Sequence, residues 1–564
     1  MIEMSLQDNR PAFDPNALSF IPLGGSGEFG CNMNVYHCNG KFLIVDCGIG
    51  FPEENHLGLE ILMPDPSFLR HVQKDIVGMV ITHAHDDHKG AIAALWPQLN
   101  CPIYATPFVV ELMRPKLTEW NLDKRVPMHV VALGSTIDLD PFKVELINTA
   151  HSVVESNMLL INTPHGSVLH TGDWRLDDHP VEGESTDEKR LKELANENIL
   201  AIIGDSTNAT VLDRHPSEIE LMEPLAQAFS EASGRVVLTT FAHSIPRMTN
   251  VANAAAKAGR RVGMMGRSML RAQEAARKTG YMKTVPEFLR EKQLTEVKPR
   301  QLVLLATGSQ GEQGSAIHRL AVDDHPSLSL TSGDTVIFSA REIPGNEKNI
   351  ERVRNSFIRR NIHVIMPETG FTHASGHAYA DEMRDLFSWV KPVSLIPVHG
   401  SEENQMAQID IAESIGIKHS FVPQNGDILA IRQNGVEKTG QVLSGLMAVD
   451  GVRVVPIKDS LLIKERNRIA NEGSIVATIV VDDEGYLLHD PVFAISGLCA
   501  DDEESEDINN ILLLDVEQVI LKAAQEGGTH PDMLRENIRL AIRRRIKQEL
   551  GKRPLLNIHL VQLS

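Results

Sequence analysis

Short apolar runs alternate with polar, amphipathic stretches along the first two hundred residues, the pattern of a layered α/β domain. The runs Leu18 to Leu23, Phe42 to Val45, Ile76 to Thr82, Val144 to Asn148, Ser167 to His170 and Ile199 to Ile203 read as strands. Asp46, His83, His151, Asp173 and Asp205 each lie just beyond the C-terminal end of such a run, and His399 does the same after Val393 to Val398. In open α/β sheets, sites are built at the carboxyl ends of strands. Six polar residues at six such ends therefore point to one site.

From about Thr207 to Gly370 the alternation resumes, with strands expected at Val236 to Thr240, Leu302 to Ala306, Thr335 to Ser339 and His363 to Met366. His399 follows this stretch while the other candidates precede it, so the stretch reads as a second α/β domain inserted into the first. The expected limits are 1–208 and 371–450 for the two parts of the first domain and 209–370 for the insertion. A linker is expected over 451–465 and a small α+β domain over 466–564. In that last unit the pattern predicts strands at Ser474 to Val481 and Leu487 to Phe493, an acidic run from Asp501 to Asp507, and helices from Asn510 to Ala524 and Pro531 to Leu550. A length of 564 residues, at about 150 per domain, likewise calls for several units.

Hydrophobic residues at 42% and charged residues at 23% allow each unit a core and exclude global disorder. Met1 to Asn16 contains no apolar signal-peptide core, and nowhere do about 18 apolar residues run together. The expectation is a cytoplasmic chain with no membrane partner. The cysteines (Cys31, Cys38, Cys47, Cys101, Cys499) form no C-x-x-C pair and read as reduced thiols, neither a disulfide framework nor a thiolate metal site.

A net charge of −20 argues against a polyanionic partner, but its distribution reverses that. Between Arg235 and Arg300 there are fourteen basic residues and four acidic ones. This segment is either a solvated helical face or a groove for phosphates, in which Arg260, Arg261 and Arg267 would contact a nucleic-acid backbone. The basic cluster Arg543, Arg544, Arg545, Lys547, Lys552 and Arg553 fits a dipole-favoured helix end and an RNA or partner contact equally well.

The sharpest chemical signal is THAHDDHKG, which places His83, His85, Asp87 and His88 within six residues directly after a strand. Imidazole and carboxylate ligands from one tight turn suit Zn²⁺, with Mn²⁺ as second choice; a single closed structural ion is the bland alternative. His151 in TAHS, Asp173 in HTGDW and His399 in PVHG raise the candidates to seven. Seven ligands are too many for one tetrahedral ion and fit two ions sharing a carboxylate. Read alone, Asp46 is a turn cap and His377 a structural histidine.

HAHDDHKG, TAHS, HTGDW and PVHG resemble the ordered motifs of the metallo-β-lactamase superfamily. IGDSTN, TGSQGE, IPGNE and HASGHA resemble its β-CASP branch, specifically the ribonuclease J family, densely from Leu18 to Gly400 and loosely beyond. The resemblance implies a metallo-β-lactamase αββα sandwich with an inserted β-CASP α/β domain. It implies two Zn²⁺ per subunit: His83, His85 and His151 on one, Asp87, His88 and His399 on the other, Asp173 bridging, and Asp46 orienting ligands without binding metal. Asp87, Asp205 and His377 are the expected catalytic residues, with Asp205 orienting His377 as general acid. His373, Ala374, Ser375, Gly376 and His377 are the expected wall of a 5′-phosphate pocket, with His373 adding positive charge when protonated.

By the same resemblance the substrate is single-stranded RNA, with His at 399 favouring RNA over DNA. The implied activity is 5′→3′ exonucleolytic and endonucleolytic cleavage in mRNA turnover and rRNA processing, leaving 5′-phosphate and 3′-hydroxyl ends. A homodimer or homotetramer, and RNA-degradation or ribosome-associated partners, are implied too. The segment FAHSIPR (Phe241 to Arg247) departs from the family's FASNIHR-like form. Two other readings compete: an ester or thioester metallohydrolase, which needs neither the insertion nor the Asp205/His377 pair, and an inactive RNA-binding scaffold, which gains nothing from seven candidate ligands.

Overall fold

The computed structural model describes residues 13–52, 58–343, 345–451, 453–458, 460–526 and 530–563; residues 1–12, which belong to the stretch without a signal-peptide core, lie outside them. The chain divides into two compact units: the described parts of Met1–Phe51 with Ile61–Met447, and of Pro52–Glu60 with Ala448–Ser564.

Two mixed sheets form the body of the first unit. One runs, in spatial order, through Gly435–Gln441, Asp427–Arg432, Leu18–Gly24, Met33–Cys38, Lys41–Val45, Ile76–Val80, Ile103–Ala105 and Met128–Val130. The other runs through His419–Ser420, Ser394–Val398, Ile199–Asp205, Gly166–His170, Ser156–Thr163, Phe142–Thr149 and Thr136–Leu139. Their facing sides share one core in which Leu18, Phe20, Leu43 and Val45 of the first sheet pack with Val144, Leu159, Val168, Ile203 and Ile396 of the second. Helices Ala380–Val390 and Glu402–Ser414 cover the outer face of the second sheet through Met383, Leu386, Phe387 and Ile409. This is the αββα sandwich of the metallo-β-lactamase fold. Continuous burial of Leu18–Gly24 follows from its apolar run lying between two covered faces.

Strand Ser394–Val398 pairs in parallel with Ile199–Asp205, Ala201 opposite Ser394 and Asp205 opposite Val398. The chain between them is therefore an insertion at a strand pairing. It carries its own all-parallel sheet, ordered Arg261–Met265, Leu302–Ala306, Val236–Thr239, Thr335–Phe338 and His363–Ile365, over a separate core that includes Leu304, Ile317, Val336, Val353 and Phe357. Although sheet and core are its own, the insertion packs with the sandwich as one compact unit.

In the second unit, a sheet of Val492–Ser496, Ser474–Val481 and Leu555–Gln562 packs one face on two helices, Asp502–Glu526 and Pro531–Leu550. Ile508, Leu512, Val516 and Ile520 on one helix, and Leu534, Ile538, Ile542 and Ile546 on the other, recur every four residues and are buried, the apolar stripe expected of a helix on a core. The acidic run belongs to the first helix. Asp501 Oδ1 accepts the Glu504 amide at 2.9 Å, and acidic side chains in a first turn suit the helix dipole. The second strand starts at Val492, later than the apolar run suggested, because Pro491 offers no amide to a ladder; Leu487 makes only an isolated bridge to Val481. The stretch expected as a linker contains strand Arg453–Pro456, and helix Leu461–Glu472 crosses position 465. Arg466 of that helix ties back to Asp450 at 2.7 Å. No helix among the described residues is long and apolar enough to cross a membrane.

Candidate metal centre

Three neighbouring strand ends are locked together before any candidate ligand is presented. Asp46 follows Lys41–Val45 in a left-handed backbone conformation (φ 64°). Its Oδ1 accepts the Thr82 amide at 2.8 Å, and its Oδ2 accepts the Thr82 hydroxyl at 2.8 Å and His88 Nδ1 at 2.7 Å. Asp46 thus sits behind His88, fully buried, and leaves His88 Nε2 pointing into the centre. Gly48 packs so closely on the ligand loop that a Cβ there would lie 1.5 Å from the Asp87 carbonyl oxygen.

Two groups of donor atoms result, each within 4.8 Å of one another: His83, His85, His151 and Asp173, and Asp87, His88, Asp173 and His399. Asp173 belongs to both. Its Oδ2 lies 3.5 Å from His83 Nε2 and 3.6 Å from His151 Nε2, while its Oδ1 lies 3.2 Å from His88 Nε2 and 3.7 Å from His399 Nε2. His151 Nδ1 donates to the Gly376 carbonyl at 2.5 Å, which fixes the tautomer and turns its Nε2 lone pair inward, 3.1 Å from His85 Nδ1. Two imidazole nitrogens that close suit a shared cation. A side chain at Gly376 would collide with the His151 ring, its Cβ 2.6 Å from Cε1.

His83 Nε2 and Asp173 Oδ1 are buried without an aligned hydrogen-bond partner. Leaving a buried polar group unsatisfied costs about 1–3 kcal/mol, a cost that a cation between them removes. The donor set of imidazoles and carboxylates fits zinc. Burial pushes His85 down to about 4 and holds His83 and His151 well below the ordinary imidazole range, leaving neutral ligands. Burial acts the same way on His399, but Asp173 and Asp87 outweigh it and raise that imidazole to about 9. Where the carboxylates cluster, a proton stands in for a cation.

Beside the centre, His377 Nδ1 meets Asp205 Oδ2 at 2.8 Å and His377 Nε2 faces Asp173 Oδ2 at 3.9 Å. Burial lowers the His377 imidazole, but Asp205 and Asp173 together raise it above its ordinary range. The other oxygen of Asp205 accepts the Thr207 amide and hydroxyl at 2.9 and 2.6 Å, and that hydroxyl also lies 2.8 Å from His399 Nδ1.

The HASGH turn lies against the same centre. Ser375 Oγ accepts Asn208 Nδ2 at 2.8 Å and the His377 amide at 3.2 Å; the Ser375 and Ala374 carbonyls accept Arg175 and Arg247. One expectation is corrected: burial and the guanidinium groups of Arg247, Arg341 and Arg175 hold His373 well below the ordinary imidazole range, so it adds no positive charge.

The basic segment needs a second correction. Arg260 is buried and donates to the carbonyls of Gly234 and Ala232. Arg247 is buried in a two-bond pair with Glu218, Arg235 pairs with Asp334, and Arg277 binds the Met282, Val285 and Pro286 carbonyls. Arg261 and Arg267 are exposed and meet no protein acceptor among the described residues. A cavity of about 460 Å³ opens between the ligand loop and helices Pro107–Glu119 and Arg267–Lys278; Asp86, Lys89, His243, Ser268 and Arg271 line it. His243 belongs to the divergent FAHSIPR segment. Sequence reasoning passed over Thr82, Thr207 and Asn208; their only signal was position, each within three residues of an aspartate or histidine at a strand end.

Family models match the chain in order. Residues 26–201 match the metallo-β-lactamase superfamily, 233–357 the ribonuclease J β-CASP domain, 364–423 a Zn-dependent metallo-hydrolase RNA specificity domain, and 461–563 the ribonuclease J C-terminal domain. The last match extends the family likeness through the C-terminal unit, where the motifs alone resemble it loosely. Ribonuclease J of Sinorhizobium meliloti is 34% identical over 97% of both chains. Ribonuclease J of Thermus thermophilus is 32% identical over 96% of this chain and 94% of its own. A crystal structure of a protein of unknown function from Enterococcus faecalis aligns over 74% of this chain at 16% identity with a TM-score of 0.52, a likeness of fold. With domain models matched along its length and more than 30% identity over nearly all of it, this chain belongs to the ribonuclease J family.

Proposed function

We propose that this ribonuclease works with two Zn²⁺ ions per subunit, Mn²⁺ being the second choice, and cleaves RNA both stepwise from the 5′ end and at internal bonds. The observation that carries this reading is Asp173, whose two oxygens face two different sets of imidazoles. His83, His85 and His151 would hold one ion, Asp87, His88 and His399 the other, and Asp173 both. A pair of divalent ions supplies an activated water near neutral pH and offsets charge on a phosphoryl oxygen.

The chain's own residues do the rest. Asp46 holds His88 by Nδ1 and Gly376 holds His151 by Nδ1, so both present Nε2 without reorientation. Asp205 binds His377 Nδ1 and favours its protonated form, so Nε2 can deliver a proton to the departing ribose 3′ oxygen. Cleavage on that side leaves 5′-phosphate and 3′-hydroxyl ends. For stepwise removal, the terminal nucleotide sits against His373, Ala374, Ser375, Gly376 and His377. Ser375 Oγ accepts two protein donors, and its own hydrogen has no acceptor among the described residues, which suits it to a phosphate oxygen. The 460 Å³ cavity offers a path for the rest of the strand. Single-stranded RNA as substrate, a homodimer or homotetramer, RNA-degradation or ribosome-associated partners, a cytoplasmic setting and the insertion limits 209–370 belong to the same proposal.

Metal analysis tests it. The purified protein should approach two ions per chain, and Asp173→Asn should lower occupancy of both and abolish RNA cleavage. One ion per chain in a fully active preparation would overturn the two-metal reading.

A further inference from the structure

Three guanidinium groups surround the HASGH turn, and only one of them has donors to offer. Arg175 is buried, with NH1 on the Ser375 carbonyl and NH2 on Asp177. Arg247 is buried, with Nε and NH2 on Glu218 and NH1 on Ser339. Both charges are matched by a carboxylate and serve the architecture. Arg341 is exposed. Its NH1 donates to Asn208 Oδ1 at 2.8 Å, and among the described residues it pairs with no carboxylate.

Arg341 is nevertheless held in place. Gln310 of the TGSQGE motif donates Nε2 to the Arg341 carbonyl at 2.9 Å and accepts the Ile343 amide on Oε1 at 2.8 Å, pinning the loop on both sides of Glu342. From Arg341 a chain of hydrogen bonds runs through Asn208 to Ser375 Oγ and the His377 carbonyl. A guanidinium with Nε and NH2 uncommitted, fixed one side chain away from an uncommitted hydroxyl, is the arrangement that binds a phosphate through planar, charge-assisted hydrogen bonds.

We propose that Arg341 anchors the terminal phosphate of the RNA 5′ end and, with Asn208 and Ser375, determines how strongly a phosphorylated end is preferred over a hydroxyl end. This rests on the reading of the HASGH turn as the terminal-nucleotide pocket. It gives the TGSQGE motif a mechanical task, to hold the Arg341 loop, and supplies the positive charge that His373 does not.

The test compares kcat/KM for one oligoribonucleotide carrying a 5′-monophosphate or a 5′-hydroxyl, together with internal cleavage of an end-blocked RNA. Arg341→Gln should lower kcat/KM on the monophosphate about ten- to a hundred-fold, the range for one charged hydrogen-bonded contact. It should leave the hydroxyl substrate and internal cleavage within about two-fold, so the preference collapses. Arg341→Lys should recover only part of it, because an ammonium cannot reproduce the planar fork. An undiminished preference in Arg341→Gln, where wild type prefers the monophosphate and Ser375→Ala weakens that preference, overturns the assignment of Arg341 alone. A wild-type enzyme with no preference overturns the pocket as well.

Discussion

The metal centre and the basic segment 235–300 are the two polar-rich regions of this protein, and burial separates them differently from composition. At the metal centre, buried groups converge with atoms left over: His83 Nε2 and Asp173 Oδ1 point into shared space without aligned partners. In the basic segment, buried cations are closed off, Arg247 by Glu218 and Arg260 by two carbonyls. A buried polar group whose partners are complete is architecture. One whose donors or acceptors remain uncommitted in a common space marks chemistry. By that criterion most of the visible charge excess does not face RNA, while the exposed Arg261, Arg267 and Arg341 remain available to it.

The largest expected effect sharpens the site side of this comparison. His377→Ala should slow the chemical step by roughly a hundred- to ten-thousand-fold, the range for general acid catalysis, with metal content unchanged. A substrate with sulfur at the bridging 3′ position, whose leaving group needs no proton, should recover much of the rate. Single-turnover kinetics on both substrates, beside metal analysis, check this; lost metal or no recovery would return His377 to a structural role.

The next contrast tests the basic segment against itself. Arg247→Ala leaves Glu218 buried and unpaired and should destabilise the fold by about 3–5 kcal/mol, read by denaturant unfolding. Arg261→Ala with Arg267→Ala should leave unfolding unchanged but flatten the salt dependence of RNA binding, each lost phosphate contact changing the log–log slope by about 0.7. If the exposed pair altered stability and not the slope, the division between architecture and contact would fail.

The smallest effect concerns pH. In metal-free protein the His399 imidazole is raised to about 9 from an ordinary 6.5. Its contribution to stability is full below pH 6.5 and is lost as pH rises through 9. The melting temperature of metal-free protein should therefore decline across that window, and metal-loaded protein should stay flat because the cation replaces the proton. Metal uptake at pH 7 should release protons, measurable by calorimetry in buffers of different ionisation enthalpy. Equal pH profiles with and without metal would contradict the exchange.

The sequence by itself determined much of this protein. Strand positions in the sandwich and the inserted sheet, the insertion between Asp205 and His399, and helix Pro531–Leu550 were all legible, because hydrophobic periodicity is a local property of the chain. The concentration of ligand-type residues in HAHDDH and at other strand ends was legible for the same reason. The 5′-end specificity of the HASGH turn was not, since its Arg341–Asn208–Ser375 chain joins positions 133 and 167 residues apart. Only the tertiary structure decided that Asp173 presents one oxygen to each imidazole set, that Asp46 stands behind His88, and that Arg247 and Arg260 are structural while Arg341 is free to bind. Burial decides these outcomes, and burial depends on which distant segments pack together, so a charge looks the same in sequence whether its partner is a buried carboxylate or a ligand.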